Sequence, residues 1–205
     1  MSDSSQAHAQ ARVLTEAFGP TTGAALRLKQ AALVIAGIAV LAICAKIKVP
    51  VPGSPVAVGM GTFAVLGIGA AYGARLGLTT IMGYMLLGML GFDIFQSSTA
   101  DLNGVEYMMG GTGGYLVGYV MATVLLGVLA QRGWDRSVLW MAVAMLLGNI
   151  LMYIPGLLWL GSLYGWDKPI LAWGLTPFIL GDALKLALAA LVVPALWKLV
   201  GAARG

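Results

Sequence analysis

Apolar residues occupy long, nearly uninterrupted stretches of this chain instead of alternating with polar ones. Six such segments, each 16 to 23 residues long, cover residues 28–45, 56–71, 76–91, 115–130, 138–160 and 175–197. A helix needs about 20 predominantly apolar residues to cross the hydrocarbon core of a bilayer. The pattern therefore predicts an all-α polytopic membrane protein, built as a single bundle of six transmembrane helices.

The composition supports a membrane protein and divides the chain into two parts. Of the 205 residues, 60% are apolar and only 10% are charged, against roughly 45–50% and 25% in soluble domains. Residues 1–27 are predicted to form a polar cytoplasmic tail, of which residues 1–23 are expected to be disordered or interfacial. Residues 28–200 are predicted to form the membrane domain.

The distribution of Lys and Arg predicts the orientation of the bundle. With the N-terminus inside, the inner segments carry eight basic residues, namely Arg12, Arg27, Lys29, Arg75, Arg132, Arg136, Lys198 and Arg204. The outer connections carry three, namely Lys46, Lys48 and Lys168. Because cytoplasmic loops are enriched in Lys and Arg, both termini are predicted to be cytoplasmic.

Two opposite charges, Asp182 and Lys185, lie within the last apolar segment. A charge at membrane depth costs on the order of 2.5–3.5 kcal/mol, so it is expected to face the protein interior and to have a partner. Residues at i and i+3 share one helix face. The pair is therefore either a structural ion pair between helices or a donor and an acceptor in the wall of a substrate site.

Two further sets of residues are candidates for the same site. The sequence GGTGGYLVGY, residues 110–119, lies where the third connection between apolar segments, residues 93–114, enters the fourth segment. Its glycines permit either close helix packing or backbone N–H contacts to a ligand. Asn149 and Tyr153 lie one turn apart in the fifth span, where they are expected either to hydrogen-bond between helices or to line a cavity.

Several kinds of chemistry are excluded by what the chain lacks. No Walker A sequence, HExxH or GxSxG motif is present, and His8 is the single histidine. The lone Cys44 excludes an internal disulfide and a cysteine-based metal cluster. The chain is therefore not predicted to be an enzyme, and neither a metal nor a cofactor of its own is expected.

Four segments together resemble one known family. These segments are PVAVGMGTFAV at residues 55–65, GMLGFDIF at 88–95, GGTGGYLVGY at 110–119 and GLTPFILGDALKLALAA at 174–190. They resemble the BioY family, the biotin-binding S components of energy-coupling-factor (ECF) transporters. The resemblance covers roughly residues 46–197, and the combination of GTGGYL with PFxxGDxxK carries it.

The resemblance implies the six-helix fold of ECF S components and the capture and uptake of biotin across the bacterial cytoplasmic (inner) membrane. It also implies a membrane coupling protein and two ABC ATPase subunits as partners, so that ATP acts only through them, with no nucleic acid involved. The family's GDxxK motif falls on Asp182 and Lys185, and its TGGY motif falls on Thr112, Gly113, Gly114 and Tyr115.

The remaining site expectations follow from the chemistry of biotin. Asp182 is expected to accept hydrogen bonds from the ureido N–H groups, and Lys185 to donate to the ureido oxygen or to the acid. Phe95, Tyr115 and Trp159 are expected to cover the apolar part of the ligand. One departure is clear, because the Gln that usually precedes the TF pair in this family is Gly61 here.

Three other functions remain open at this level. The chain is alternatively an S component for another vitamin, or a solitary secondary transporter that couples to protons through Asp182. It is also compatible with a structural or assembly subunit in which Asp182 and Lys185 only join helices.

Overall fold

The computed structural model describes residues 13–50, 52–53 and 56–202. The first 12 residues of the predicted tail, which include His8 and Arg12, lie outside the described residues, and so does Arg204.

Helices dominate the described part of the chain. The long helices are α1 (Gly23–Lys46), α2 (Gly61–Met89), α4 (Gly113–Gln131), α5 (Val138–Tyr164) and α7 (Ile179–Ala202), and the short ones are α3 (Gly104–Met108) and α6 (Ile170–Gly174). Strands β1 (Lys48–Val49) and β2 (Val58–Gly59) pair antiparallel in the first connection, which joins α1 to α2. Single 3₁₀ turns lie at Leu14–Glu16, Trp134–Arg136 and Thr176–Phe178.

Helix α2 contains a chain reversal and therefore supplies two of the six predicted segments. Gly73, with φ 77° and ψ 173°, interrupts the helical backbone. A Cβ on Gly77 would lie 3.6 Å from the Cα of Gly69, whereas eight residues of straight helix rise about 12 Å. Residues 61–72 and 74–89 thus form a tight helical hairpin. Only glycine readily adopts the positive φ at this turn.

The bundle has six helical arms, as the sequence predicts. Five helices in the described part are long and apolar enough to cross a membrane, namely Gly23–Lys46, Gly61–Met89, Gly113–Gln131, Val138–Tyr164 and Ile170–Leu199. The second of these is the hairpin. Large apolar side chains such as Leu28, Leu139 and Leu180 are exposed on the outer faces, as expected for surfaces that contact lipid. The all-α membrane fold is confirmed.

Helix α4 lies at the centre and packs against both α2 and α5. Small residues permit this close approach: a Cβ on Gly118 would lie 2.6 Å from the Cα of Met152 in α5. On the other side, a Cβ on Gly127 would lie 2.3 Å from the backbone nitrogen of Ala74 in α2. Glycine therefore lets the three backbones come together and fixes the position of α4.

The last part of the predicted tail differs from the expectation of a disordered or interfacial segment. Val13 has no exposed surface and belongs to the main hydrophobic core. The Thr15 hydroxyl donates a hydrogen bond to the carbonyl oxygen of Ala71, at 3.0 Å. An apolar residue at position 13 can pack beside the α2 reversal, and this contact attaches residues 13–17 to the bundle.

Candidate substrate-binding site

A cavity opens at the end of the bundle where α1 ends and where α2 and α4 begin. About 40 Å³ of its interior is open to the centre of a water molecule, so the cavity is narrow. The residues that line it are Ala45, Val56, Ala57, Gly59, Gly61, Thr62, Tyr84, Gln96, Tyr107, Thr112, Tyr115, Leu116, Tyr119, Met152, Tyr153 and Phe178. They come from four long helices, from the first and third connections and from the 3₁₀ turn Thr176–Phe178.

Asp182 and Lys185 form a buried ion pair beside this cavity. Lys185 Nζ lies 3.0 Å from Asp182 Oδ1, and the two side chains are only 11% and 8% exposed, respectively. Lys185 also donates to the carbonyl oxygen of Gly59, at 2.6 Å, and to Thr62 Oγ1, at 2.9 Å. An ammonium group has three donors, so these three acceptors use all of them.

The other carboxylate oxygen of Asp182 accepts a hydrogen bond from the Tyr153 hydroxyl. Gly59, Thr62 and Tyr153 all line the cavity, whereas Asp182 and Lys185 are not among the lining residues but hydrogen-bond to these three. The ion pair therefore joins the first connection, α2, α5 and α7 into one polar wall. Its charge is neutralised where it is buried, which an intramembrane position requires.

Aromatic side chains form another part of the wall. The Tyr115 hydroxyl donates to the carbonyl oxygen of Gly174, at 2.8 Å. The Tyr153 ring meets the rings of Tyr115 and Phe178 edge to face, each at a centroid distance of 6.2 Å. Rings in this arrangement present a rigid apolar surface to a ligand.

The third connection is held to α1 by polar contacts near the cavity mouth. Lys46 Nζ lies 2.6 Å from Asp93 Oδ1, and Ser98 Oγ donates to the same oxygen, also at 2.6 Å. The hydrogen bonds from Lys46 and Ser98 lower the pKa of Asp93 below its ordinary value. This cluster, in which Lys46 and Asp93 are exposed and Ser98 is buried, positions the loop that carries Gln96.

Apart from Trp159, nine residues were predicted from the sequence to bind the substrate, and the structure brings five of them together. Thr112, Tyr115 and Tyr153 line the cavity. Asp182 and Lys185 contact the residues that line it.

The other four predicted site residues lie outside the lining. Gly113 and Gly114 serve close packing, since a Cβ on either would lie 2.2 Å from the carbonyl oxygen of Met108 or Pro155, respectively. Phe95 has no exposed surface and its ring lies between those of Tyr84 and Tyr107. Asn149 is buried, and its Oδ1 has no hydrogen-bond partner among the described residues.

Trp159, which was expected to cover the apolar part of the ligand, also packs elsewhere. Its indole N–H donates to the carbonyl oxygen of Gly110, at 2.8 Å. This bond fixes the turn into α4 against α5, because Trp159 belongs to α5 and Gly110 precedes α4.

Sequence reasoning missed several lining residues, among them Gln96, Tyr84 and Tyr119. Tyr119 follows Tyr115 by four residues on α4, so the i,i+4 spacing alone would have placed both on one face. Gln96 lies in a loop, where no periodicity indicates the direction of a side chain. Among the described residues, no three His, Cys, Asp or Glu side chains come together as a metal site.

Comparison with known proteins identifies the family. The BioY family model matches residues 15–202. The chain belongs to the BioY family. This match spans all six arms of the bundle and both members of the ion pair.

Individual relatives and a solved structure agree with the family match. The chain is 30% identical over 167 residues to a probable biotin transporter BioY of Pyrococcus horikoshii, covering 82% of this chain and 95% of the relative. It is 28% identical to the biotin transporter BioY of Thermotoga maritima, covering 82% and 96%.

The fold is similar to the crystal structure of the S-component for biotin from an ECF-type ABC transporter. The TM-score is 0.74 at 20% identity, covering 87% of this chain and 95% of the other. At this identity the likeness supports the fold.

Proposed function

We propose that this protein captures biotin and carries it across the bacterial cytoplasmic membrane as the substrate-specific S component of an ECF-type ABC transporter. The chain is a transporter component and not an enzyme. The observation that carries the proposal is the buried Asp182–Lys185 pair, all of whose other partners, Tyr153, Thr62 and Gly59, line one cavity.

The chemistry of the cavity suits biotin, which combines a polar cyclic urea, an apolar thioether ring, an aliphatic chain and a carboxylate. Asp182 retains lone pairs for ureido N–H donors, because an ionised carboxylate accepts about four hydrogen bonds. Tyr115, Tyr153 and Phe178 offer ring surfaces to the apolar part. Biotin is thus the transported ligand, and the chain needs no cofactor of its own.

The partners and the orientation belong to the same proposal. A membrane coupling protein and two ABC ATPases supply energy, so ATP acts only outside this chain. Both termini are cytoplasmic, which places the cavity at the outer surface, because Lys and Arg are concentrated at the opposite end of the bundle. The protein is multi-pass in the inner membrane.

The test is titration of biotin into purified protein by isothermal calorimetry. Asp182→Asn and Lys185→Ala are each expected to weaken binding at least tenfold, about 1.4 kcal/mol. Lys168→Ala is the matched control, because Lys168 forms an exposed ion pair with Asp167 at 2.9 Å. Unchanged affinity in both cavity variants would contradict the site, and competition by other vitamins as strong as by biotin would contradict the substrate.

Energy coupling is tested separately, by biotin uptake into cells with and without the coupling protein and its ATPases. Uptake is expected to require them. Uptake that a proton uncoupler abolishes while ATP is held constant would instead identify a solitary, proton-coupled transporter.

A further inference from the structure

The polar groups that face the cavity differ in how many hydrogen bonds they can still make. Lys185 uses its three donors within the protein. The hydroxyls of Tyr115 and Tyr153 donate to Gly174 and Asp182, respectively. The donors of these three side chains are therefore all used within the protein.

Gln96 and Tyr119 each present an oxygen that makes no hydrogen bond with the described residues. Gln96 Nε2 donates to the carbonyl oxygen of Ala57, which fixes the carboxamide while its Oε1 makes no hydrogen bond with the described residues. The Tyr119 hydroxyl makes none with them either. Both residues line the cavity, so these two oxygens are available to a ligand.

Both of these oxygens lie close to Gly61. The position that a Cβ would occupy on Gly61 lies 3.5 Å from the Tyr119 hydroxyl and 3.6 Å from Gln96 Oε1. Because glycine carries no side chain, a niche remains between them. The niche adjoins Thr62, the next residue, whose hydroxyl accepts from Lys185.

We propose that Gln96 is a specificity-determining residue of the substrate site, and that its Oε1 accepts an N–H hydrogen bond from the ligand's cyclic urea in the niche beside Gly61. The Tyr119 hydroxyl supplies the adjacent polar contact. This inference rests on the proposed function, since it assigns one group of biotin to one side chain. A neutral carboxamide accepts a neutral N–H donor without adding a charge to the site, whereas a carboxylate at position 96 would favour a cationic donor.

The test compares biotin with 2-iminobiotin, in which a guanidinium group replaces the urea when it is protonated. Binding of both is measured by calorimetry on the full chain and on Gln96→Glu. We expect biotin to bind Gln96→Glu at least tenfold more weakly, and the affinity ratio to shift at least tenfold towards 2-iminobiotin. Gln96→Met, which keeps the length but no polar atom, is expected to lose biotin affinity without that shift.

The controls separate this role from a structural one. If Gln96 only attaches the loop at Ala57, both ligands will weaken equally in Gln96→Glu, and the unchanged ratio will overturn the inference. Gln131→Glu, at the other end of α4, is the matched control and is expected to alter neither affinity. If the unsubstituted protein binds no biotin, the proposed function fails and this inference fails with it. If it binds biotin and only the ratio fails to shift, the proposed function stands.

Discussion

Each end of the bundle buries one carboxylate, and the two are stabilised differently. Asp182 belongs to α7, and Asp135 contacts α7 through Trp197. At the cavity end, Asp182 pairs with Lys185 and accepts a further hydrogen bond from Tyr153. At the opposite end, Asp135 accepts a hydrogen bond from the Trp197 indole. Asp182 and Trp197 are 15 residues apart, about 22 Å along a helix.

The carboxylate of Asp135 has fewer stabilising partners than that of Asp182. It is 1% exposed, and its Oδ1 has no hydrogen-bond partner among the described residues. Burial raises the pKa of Asp135 to about 6, although the Trp197 hydrogen bond and the nearby Arg136 charge act to lower it. Arg136 lies over the Trp197 ring, 4.6 Å from its centroid.

The difference shows that one fold can bury one carboxylate beside a paired cation and another without such a pair among the described residues. A lysine one helical turn away neutralises the charge of Asp182 in the wall of the cavity. Without an equally close ion pair, desolvation favours the protonated form of Asp135. The following substitutions test this contrast between the ends, from the largest expected effect to the smallest.

Breaking the pair at the cavity end is expected to have the largest effect on stability. Lys185→Met leaves the buried Asp182 carboxylate without its cation, which typically costs about 3–5 kcal/mol. The double variant Asp182→Leu/Lys185→Met is expected to recover most of this free energy of unfolding but none of the biotin affinity. Unfolding in mixed detergent micelles measures the first quantity, and calorimetry the second. A double variant as unstable as the single one would contradict the account.

Neutralising the carboxylate at the other end is expected to stabilise the protein at neutral pH. Because the folded-state pKa of Asp135 is raised from 3.8 to about 6, its contribution is present below about pH 4 and is lost as pH rises through about 6. Relative to Asp135→Asn, the unsubstituted protein should therefore lose about 2–3 kcal/mol between these limits. Unfolding curves from pH 4 to 7.5 give the slope, and parallel curves for the two proteins would refute the prediction.

Glycine substitutions on α4 test whether the two ends of the bundle affect biotin binding independently. Gly114→Ala and Gly127→Ala both introduce a Cβ against backbone atoms, at 2.2 and 2.3 Å, so each is expected to cost about 1–3 kcal/mol. Only Gly114→Ala should also weaken biotin binding, because Gly114 adjoins Tyr115. Gly67→Ala, where no atom lies within 4 Å, is the control. Equal losses of affinity at both ends would argue against separate roles.

The exposed ion pair near the cavity mouth is expected to matter least. Lys46 and Asp93 are 36% and 49% exposed, and such pairs contribute about 0.2–1 kcal/mol. The lowered pKa of Asp93 means that its contribution is lost as pH falls, the opposite sign to Asp135. Lys46→Ala should thus cause a small, salt-sensitive loss of stability. A loss comparable to that of Lys185→Met would contradict the distinction between buried and exposed pairs.

Local patterns account well for part of the site. The three-residue spacing of Asp182 and Lys185 predicts a shared helix face, and the structure joins the two at 3.0 Å. The glycines at 113 and 114 are predicted to contact the ligand, but their role depends on the distances to Met108 of α3 and Pro155 of α5, which local sequence does not specify. Trp159 likewise turns to Gly110 because α5 and the turn into α4 are adjacent in the fold.

The surroundings of Gly61 depend on a contact between residues that are distant in the sequence. The resemblance to the BioY family implies Gln at this position, whereas the chain has glycine, and no residue next to it in the chain carries a carboxamide. The fold brings Gln96 from the third connection to within 3.6 Å of the position of a Cβ on Gly61. The two residues are separated by the whole α2 hairpin, so no local pattern relates them.

The sequence by itself determined that this chain is a six-segment membrane bundle, because the hydrocarbon core of the bilayer requires long apolar helices. It also determined that Asp182 and Lys185 share one face, because the helix period fixes that geometry. Only the tertiary structure decided which polar groups border the cavity. That choice depends on the reversal at Gly73 and on loops whose side chains are oriented by contacts between distant segments.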